Sequence, residues 1–144
     1  YIMGYSAPIF SPTGGVKISA HDLATYMMMH MNYGELNGVR IISEESARTM
    51  QTPVWMKQKP EEDQYGLCLW EFVDFIDDEK YNVPGNYPIG HEGDAQGLRS
   101  IMIWSPADGW GIVAMTSGYT AVEGKGVIQT LANAIYNAYL KDAK

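Results

Sequence analysis

The sequence predicts an α+β fold, an antiparallel sheet with helices packed against it. Three observations carry this expectation. Apolar residues recur at helical spacing near the start and again near the end of the chain, apolar runs of strand length lie between them, and the last two runs are joined by a short turn that suits an antiparallel hairpin. At 144 residues the chain has the length of one domain, residues 1–144, and a domain of this size can bury roughly 68–70% of its unfolded surface. No internal repeat is visible.

Residues 1–15 mix aromatics with Gly4, Pro8, Pro12, Gly14 and Gly15 and read as an extended piece followed by a loop. Ser19-Ala20-His21-Asp22 then has the spacing of a capping box. Leu23, Tyr26, Met27, His30 and Met31 share one face of the helix it opens, and Gly34 suits its C-terminal stop. Met27-Met28-Met29-His30-Met31 is read as core, not as a soft metal site, because adjacent helical residues point in different directions and methionine fills irregular interiors. Asn37-Gly38 marks a tight turn. Ser43 caps a second short helix, Glu44 and Glu45 suit its first turn, Ala47 and Met50 give its inner face, and Pro53 ends it.

Residues 51–64 read as a connecting loop. A strand is expected from about Tyr65 to Phe75, apolar on both faces at Leu67, Cys68, Leu69 and Trp70. The charges Asp74, Asp77, Asp78, Glu79 and Lys80 lack the alternating acids and central glycine of a calcium loop and read as a solvated hairpin tip. The stretch from Gly90 to Gly97 is polar and glycine-punctuated, and by spacing alone it reads as a loop running into a buried strand. Pro106-Ala107-Asp108-Gly109 is a turn, and Trp110 to Met115 is the partner strand. Val127, Ile128, Leu131, Ile135 and Ala138 set the inner stripe of a final helix, with Lys141 and Lys144 at its negative end.

Ten basic against seventeen acidic residues leave a net charge of −7, so nucleic acid is not an expected partner. The single cysteine, Cys68, can form no internal disulfide and is expected as a small core residue. No apolar run is long enough to span a membrane. The opening residues, Tyr1-Ile2-Met3-Gly4-Tyr5, have neither a start methionine nor a charged signal-peptide head, and the chain is expected to begin inside a longer protein.

Chemistry concentrates in Gly90-His91-Glu92-Gly93-Asp94-Ala95-Gln96-Gly97, where one histidine and two acids sit among glycines that leave the backbone open to a ligand. Around it, four motifs follow one another: Gly14-Gly15-Val16 leading to Ser19-Ala20-His21-Asp22-Leu23; Tyr65-Gly66-Leu67-Cys68-Leu69-Trp70; His91-Glu92-Gly93 with Gly97 and Ser105-Pro106; and Gly111-Ile112-Val113. In that order the chain resembles the serine β-lactamase and penicillin-binding-protein superfamily, in its branch of class C-like β-lactamases, D-alanyl-D-alanine peptidases and esterases. The resemblance covers the C-terminal part of that β-lactamase/transpeptidase-like fold.

The resemblance implies an acyl-enzyme mechanism with a serine nucleophile, a lysine and a tyrosine. It implies that His91 orients substrate, that the backbone N–H of Asp94 belongs to an oxyanion hole, and that Glu92, Gly93 and Ser117 contact substrate. Glu92 stands where the family usually has a hydroxyl residue and should repel a β-lactam carboxylate, and Thr116-Ser117 stands where Ala-Asn or Thr-Asn is common. A peptidase- or esterase-like hydrolase is therefore expected over an efficient β-lactamase. No Ser-x-x-Lys and no Tyr-x-Asn occurs in the chain. The nucleophile is expected in a missing N-terminal half of the same protein, the chain alone is expected to be inactive, and its uncovered sheet could support a homo-oligomer. No metal and no cofactor is expected; the partner is a small-molecule or peptide substrate, and the resemblance implies a periplasmic or extracellular location. A non-catalytic module that binds a ligand or peptide with the same fold remains the alternative.

Overall fold

The computed structural model describes residues 16–54, 62–95, 97–117 and 126–143. The extended piece at 1–15 and residues 55–61 of the loop at 51–64 lie outside the described residues, as does Lys144. The fold is α+β, with helices on both faces of an antiparallel sheet.

Helix α1 spans Ala20–Met31. Ser19 caps it reciprocally: its Oγ accepts from the Asp22 N–H at 3.1 Å and donates to the Asp22 carboxylate at 2.7 Å. The helix ends where Asn32, Tyr33 and Gly34 turn their N–H groups back to Met28, His30 and Met29, with Gly34 at φ +97°. Met27, Met29 and His30 are buried, whereas Tyr26, expected on the inner face, is 44% exposed. Strands β1 (Glu35–Leu36) and β2 (Val39–Arg40) close around Asn37-Gly38, both at positive φ, as expected for that dipeptide. Helix α2 spans Glu44–Gln51, capped by Ser43 and stopped at Thr52 before Pro53. Gln51 reaches back to donate to the His30 carbonyl at 2.8 Å, tying α2 to the end of α1.

The main sheet has five strands in the order β3-β4-β5-β6-β7: Gln64–Tyr65, Trp70–Glu71, Ile89–Ala95, Leu98–Trp104 and Gly111–Ser117. The single strand expected from Tyr65 to Phe75 is instead a hairpin of two short strands. The Gly66 N–H closes on the Leu69 carbonyl at 2.7 Å, and Cys68 takes positive φ at the turn. Cys68 is therefore exposed, not a core residue, and Leu67 is 49% exposed. The charged segment that follows is no solvated hairpin tip. Ile76 within it is fully buried, Asp78 caps a 3₁₀ turn at Glu79–Tyr81, and Asn133 and Gln129 hold its backbone. The polar stretch before the β6 run is strand rather than loop, since Ile89–Ala95 pairs with Trp104–Leu98 residue by residue. The β6–β7 hairpin forms as expected, around Gly109 at φ +71°.

Alternation across the strands divides the core in two. Ile101, Ile103, Ile112 and Ala114 face helix α3 (Val127–Ile135) through Ile128 and Ala132, with Tyr136 just beyond the helix completing the contact. Met102 and Trp104 face α1 through Met27, together with Leu69 and Ile89. A Cβ at Gly111 would collide with the end of Met27, so the missing side chain lets α1 lie close on β7. The helix continues from Tyr136 to Leu140 as a π turn, with Lys141 N–H donating to Tyr136 O at 3.0 Å. That wider turn carries Leu140 to the core and leaves Ala138, expected inside, exposed.

Candidate functional site

Strand β5 is covered on one side only over most of its length. On the β6 side all of Ile89–Ala95 is paired; on the other, β4 pairs with Ile89 and Gly90 alone. Among the described residues, nothing pairs with residues 91–95 along that second edge. Phe72 N–H donates to Pro88 O at 2.9 Å, so even-numbered residues of this segment turn their main-chain groups toward β4. By the two-residue period of a strand, Glu92 and Asp94 turn their N–H and C=O groups to the same side, where β4 has ended. This edge is a template for an extended chain.

His91 sits where the pairing with β4 stops. Its Nδ1 lies 2.5 Å from the Glu92 carbonyl and its Nε2 lies 3.2 Å from the Tyr65 hydroxyl. A carbonyl oxygen only accepts, so in the neutral ring Nδ1 carries the proton and Nε2 accepts from the phenol. The rings of Tyr65 and Trp70 meet the imidazole edge-on, at 6.3 Å and 6.2 Å between centroids. Tyr65 and Trp70 were legible as motif positions, but only the β3–β4 hairpin shows that they form the wall beside His91. Glu71, opposite Ile89 on β5, is half-buried, and burial pushes its carboxyl up.

Gly93 faces Ser100, and a Cβ there would come within 2.6 Å of the Ser100 Oγ, so the glycine accommodates a cross-strand neighbour. Asp94 pairs with Arg99 across the β5–β6 ladder at 2.8 Å. Ser117 is the last residue of β7, exposed and level with Leu98 and Ala95. It lies at the same end of the sheet as Asp94 but two strand spacings from β5, roughly 10 Å, so the fold does not bring it against His91.

On the α3 face of the same edge is a cavity of about 160 Å³, where Glu92 and Arg99 meet Phe75 and the first turn of α3. Gln129 in that turn donates to the carbonyls of Asp74 at 2.8 Å and Phe75 at 3.1 Å, which fixes the far wall. Arg99 and the cavity were not legible in the sequence, because Arg99 acquires its role only through the register that sets it opposite Asp94. Among the described residues no group of three histidine, cysteine or acidic side chains could hold a metal ion.

Compared with family models, with curated proteins and with solved structures, the chain matches none. Its site therefore has to be argued from its own geometry. That geometry offers two outward main-chain N–H donors, a histidine held in one tautomer, and a carboxylate beside a small cavity, all along one strand edge.

Proposed function

We propose that this chain forms one wall of the acyl-transfer cleft of a serine hydrolase of the β-lactamase and penicillin-binding-protein type, acting on peptides or small esters. The observation that carries the proposal is the open edge of β5, with the Glu92 and Asp94 N–H groups directed outward beside His91. A substrate lying along this edge gains main-chain hydrogen bonds. Its carbonyl oxygen, placed at the Asp94 N–H, meets a fixed donor where negative charge develops, and one such donor is worth about 2.7–4 kcal/mol of barrier. His91, whose two ring nitrogens are committed to Glu92 O and the Tyr65 hydroxyl, bounds the acyl group with its fixed ring. The serine that attacks the carbonyl, and the base that removes its proton, are supplied by a segment outside this sequence, which holds no Ser-x-x-Lys. That absence equally favours a second reading, a module that binds an extended peptide by strand addition and does no chemistry.

Covalent labelling separates them. The protein encoded by the whole reading frame containing this chain is treated with a fluorophosphonate and with a fluorescent penicillin. A serine three residues before a lysine should take the label, and His91→Ala should slow labelling by about 100-fold, the usual cost of losing the productive orientation of a reacting group. A protein that neither probe labels, or one labelled equally fast after His91→Ala, overturns the hydrolase reading. Peptide binding that persists without labelling establishes the binding module instead.

A further inference from the structure

We infer that the cavity beside Glu92 is a subsite for a primary amine, so that the ligand on the β5 edge carries a cationic side chain. This rests on β5 being the ligand-binding edge and adds the ligand's chemical class. Glu92 lies on the strand between the outward main-chain groups, and it lines the cavity together with Arg99, Phe75 and Gln129. Arg99 is engaged by Asp94 at 2.8 Å, whereas the Glu92 carboxylate has no ion-pair partner among the described residues. Among the described residues, two carboxylates against one guanidinium leave one negative charge at the mouth.

Arg99 and the first turn of α3 bring donors to one wall, but the Gln129 side chain brings an acceptor. Gln129 has committed its NH₂ to the Asp74 and Phe75 carbonyls, so its amide still offers only an oxygen acceptor. Phe75 adds an aromatic residue to the lining, which suits a cation better than an anion. Val127 and Ile128 supply apolar wall for a methylene stem. Size sets the scale of the occupant: 160 Å³ is well below the roughly 300–1,000 Å³ of pockets that enclose a whole ligand, and it suits one side chain of a ligand held elsewhere.

The test is calorimetric titration of the protein with three acyl-blocked tripeptides identical except for a central lysine, norleucine or glutamate. At low salt the lysine peptide should bind about threefold to tenfold more tightly than the norleucine peptide, as expected for an accessible ion pair with some desolvation. Glu92→Gln should abolish that preference, and salt near 0.2 M should shrink it. Equal binding of lysine and norleucine, or a lysine preference that survives Glu92→Gln, overturns the inference without touching the strand-edge reading. A preference for glutamate overturns it too, and assigns the cavity to Arg99 and the first turn of α3. Failure of all three to bind overturns both the subsite and peptide binding along β5, while acyl transfer to small esters is still judged by serine labelling.

Discussion

Gly90→Ala is the substitution that most directly probes the geometry under the candidate site. Gly90 is, with Ile89, one of the two residues at which β5 has neighbours on both sides; its own are Trp70 on β4 and Ile103 on β6. An added Cβ would collide with the Met102 carbonyl oxygen and would lie 2.8 Å from Ile103 Cα and 2.9 Å from the Met102 carbonyl carbon. All three are backbone atoms, so no rotamer change relieves them. β5 has to separate from β6 just below His91. Overpacking of this kind typically costs 1–3 kcal/mol, and backbone obstruction puts this case near the top, at about 3 kcal/mol. With an unfolding entropy of about 2.1 cal/mol/K per residue, the corresponding fall in Tm is about 10 °C. Gly93→Ala is the internal control: its Cβ would meet the Ser100 Oγ, which can rotate away, so the cost should stay below about 1 kcal/mol and vanish in combination with Ser100→Ala. Urea unfolding at constant m-value measures all of these. A Gly90→Ala protein as stable as the parent, or less affected than Gly93→Ala, would refute the close approach of β5 to β6.

Four further predictions follow from contacts elsewhere in the fold. Asp108 accepts from Lys80 and from the buried Tyr81 hydroxyl, which itself accepts from Trp110; Asp108→Ala leaves that hydroxyl without its acceptor and should cost about 1–2 kcal/mol in urea unfolding, most of it through Tyr81 because the Lys80 pair is at the surface. The Lys80 and Tyr81 bonds hold the Asp108 carboxyl below the usual range, so its contribution is complete above the unfolded value near 4 and is lost as pH falls through the folded one; Asp108→Asn should flatten the acid limb of stability, and an unchanged limb would dismiss the effect. His30 is buried between Tyr26 and Trp104 with Nδ1 unpartnered, and burial holds its pKa below the ordinary value of about 6.5. The unfolded chain then takes up the proton first, so stability falls as pH drops below about 6.5 until the folded value is reached; His30→Met should reduce that loss between pH 7.5 and 5, and the same slope in both proteins would exclude His30 as its source. Strand β7 has no strand on its far side among the described residues, and since Ser105 N–H bonds Trp110 O, the odd residues Val113 and Met115 direct their main-chain groups outward. The chain should self-associate along that edge in sedimentation and Met115→Pro, which removes no bond to β6, should return it to monomer; association unaffected by the proline would place the contact elsewhere.

Local signals were sufficient where one short segment sets its own geometry. Ser19 with Asp22 and Ser43 with Ser46 satisfy orphan N–H groups within three residues, and Asn37-Gly38 takes the positive φ of its turn, so α1, α2 and the β1–β2 hairpin were legible. The β6–β7 hairpin was legible for the same reason. Local signals failed where an apolar run could satisfy two arrangements. Leu67 and Cys68 look like interior strand residues, yet the chain turns at Gly66–Leu69 because Leu69 and Trp70 then reach opposite cores while Cys68 stays outside. The stretch from His91 to Asp94 looks like loop by composition; it is strand because β6 supplies a partner for every residue, and main-chain pairing does not require apolar side chains.

For the site, the sequence by itself determined the inventory: His91, Glu92, Gly93 and Asp94 in one polar stretch, next to a run apolar enough to be buried. It also determined that no Ser-x-x-Lys accompanies them. Only the tertiary structure decided that Tyr65 reaches the His91 ring, that Arg99 is engaged by Asp94, that Ser117 stands two strands away and that, among the described residues, one edge of β5 is open and Glu92 has no ion-pair partner. The physical reason is that these are consequences of strand register and strand length. Where β4 ends and which residue of β6 faces which residue of β5 are fixed by two cores packing on opposite faces of the sheet, one against α1 and one against α3, from residues far apart along the chain.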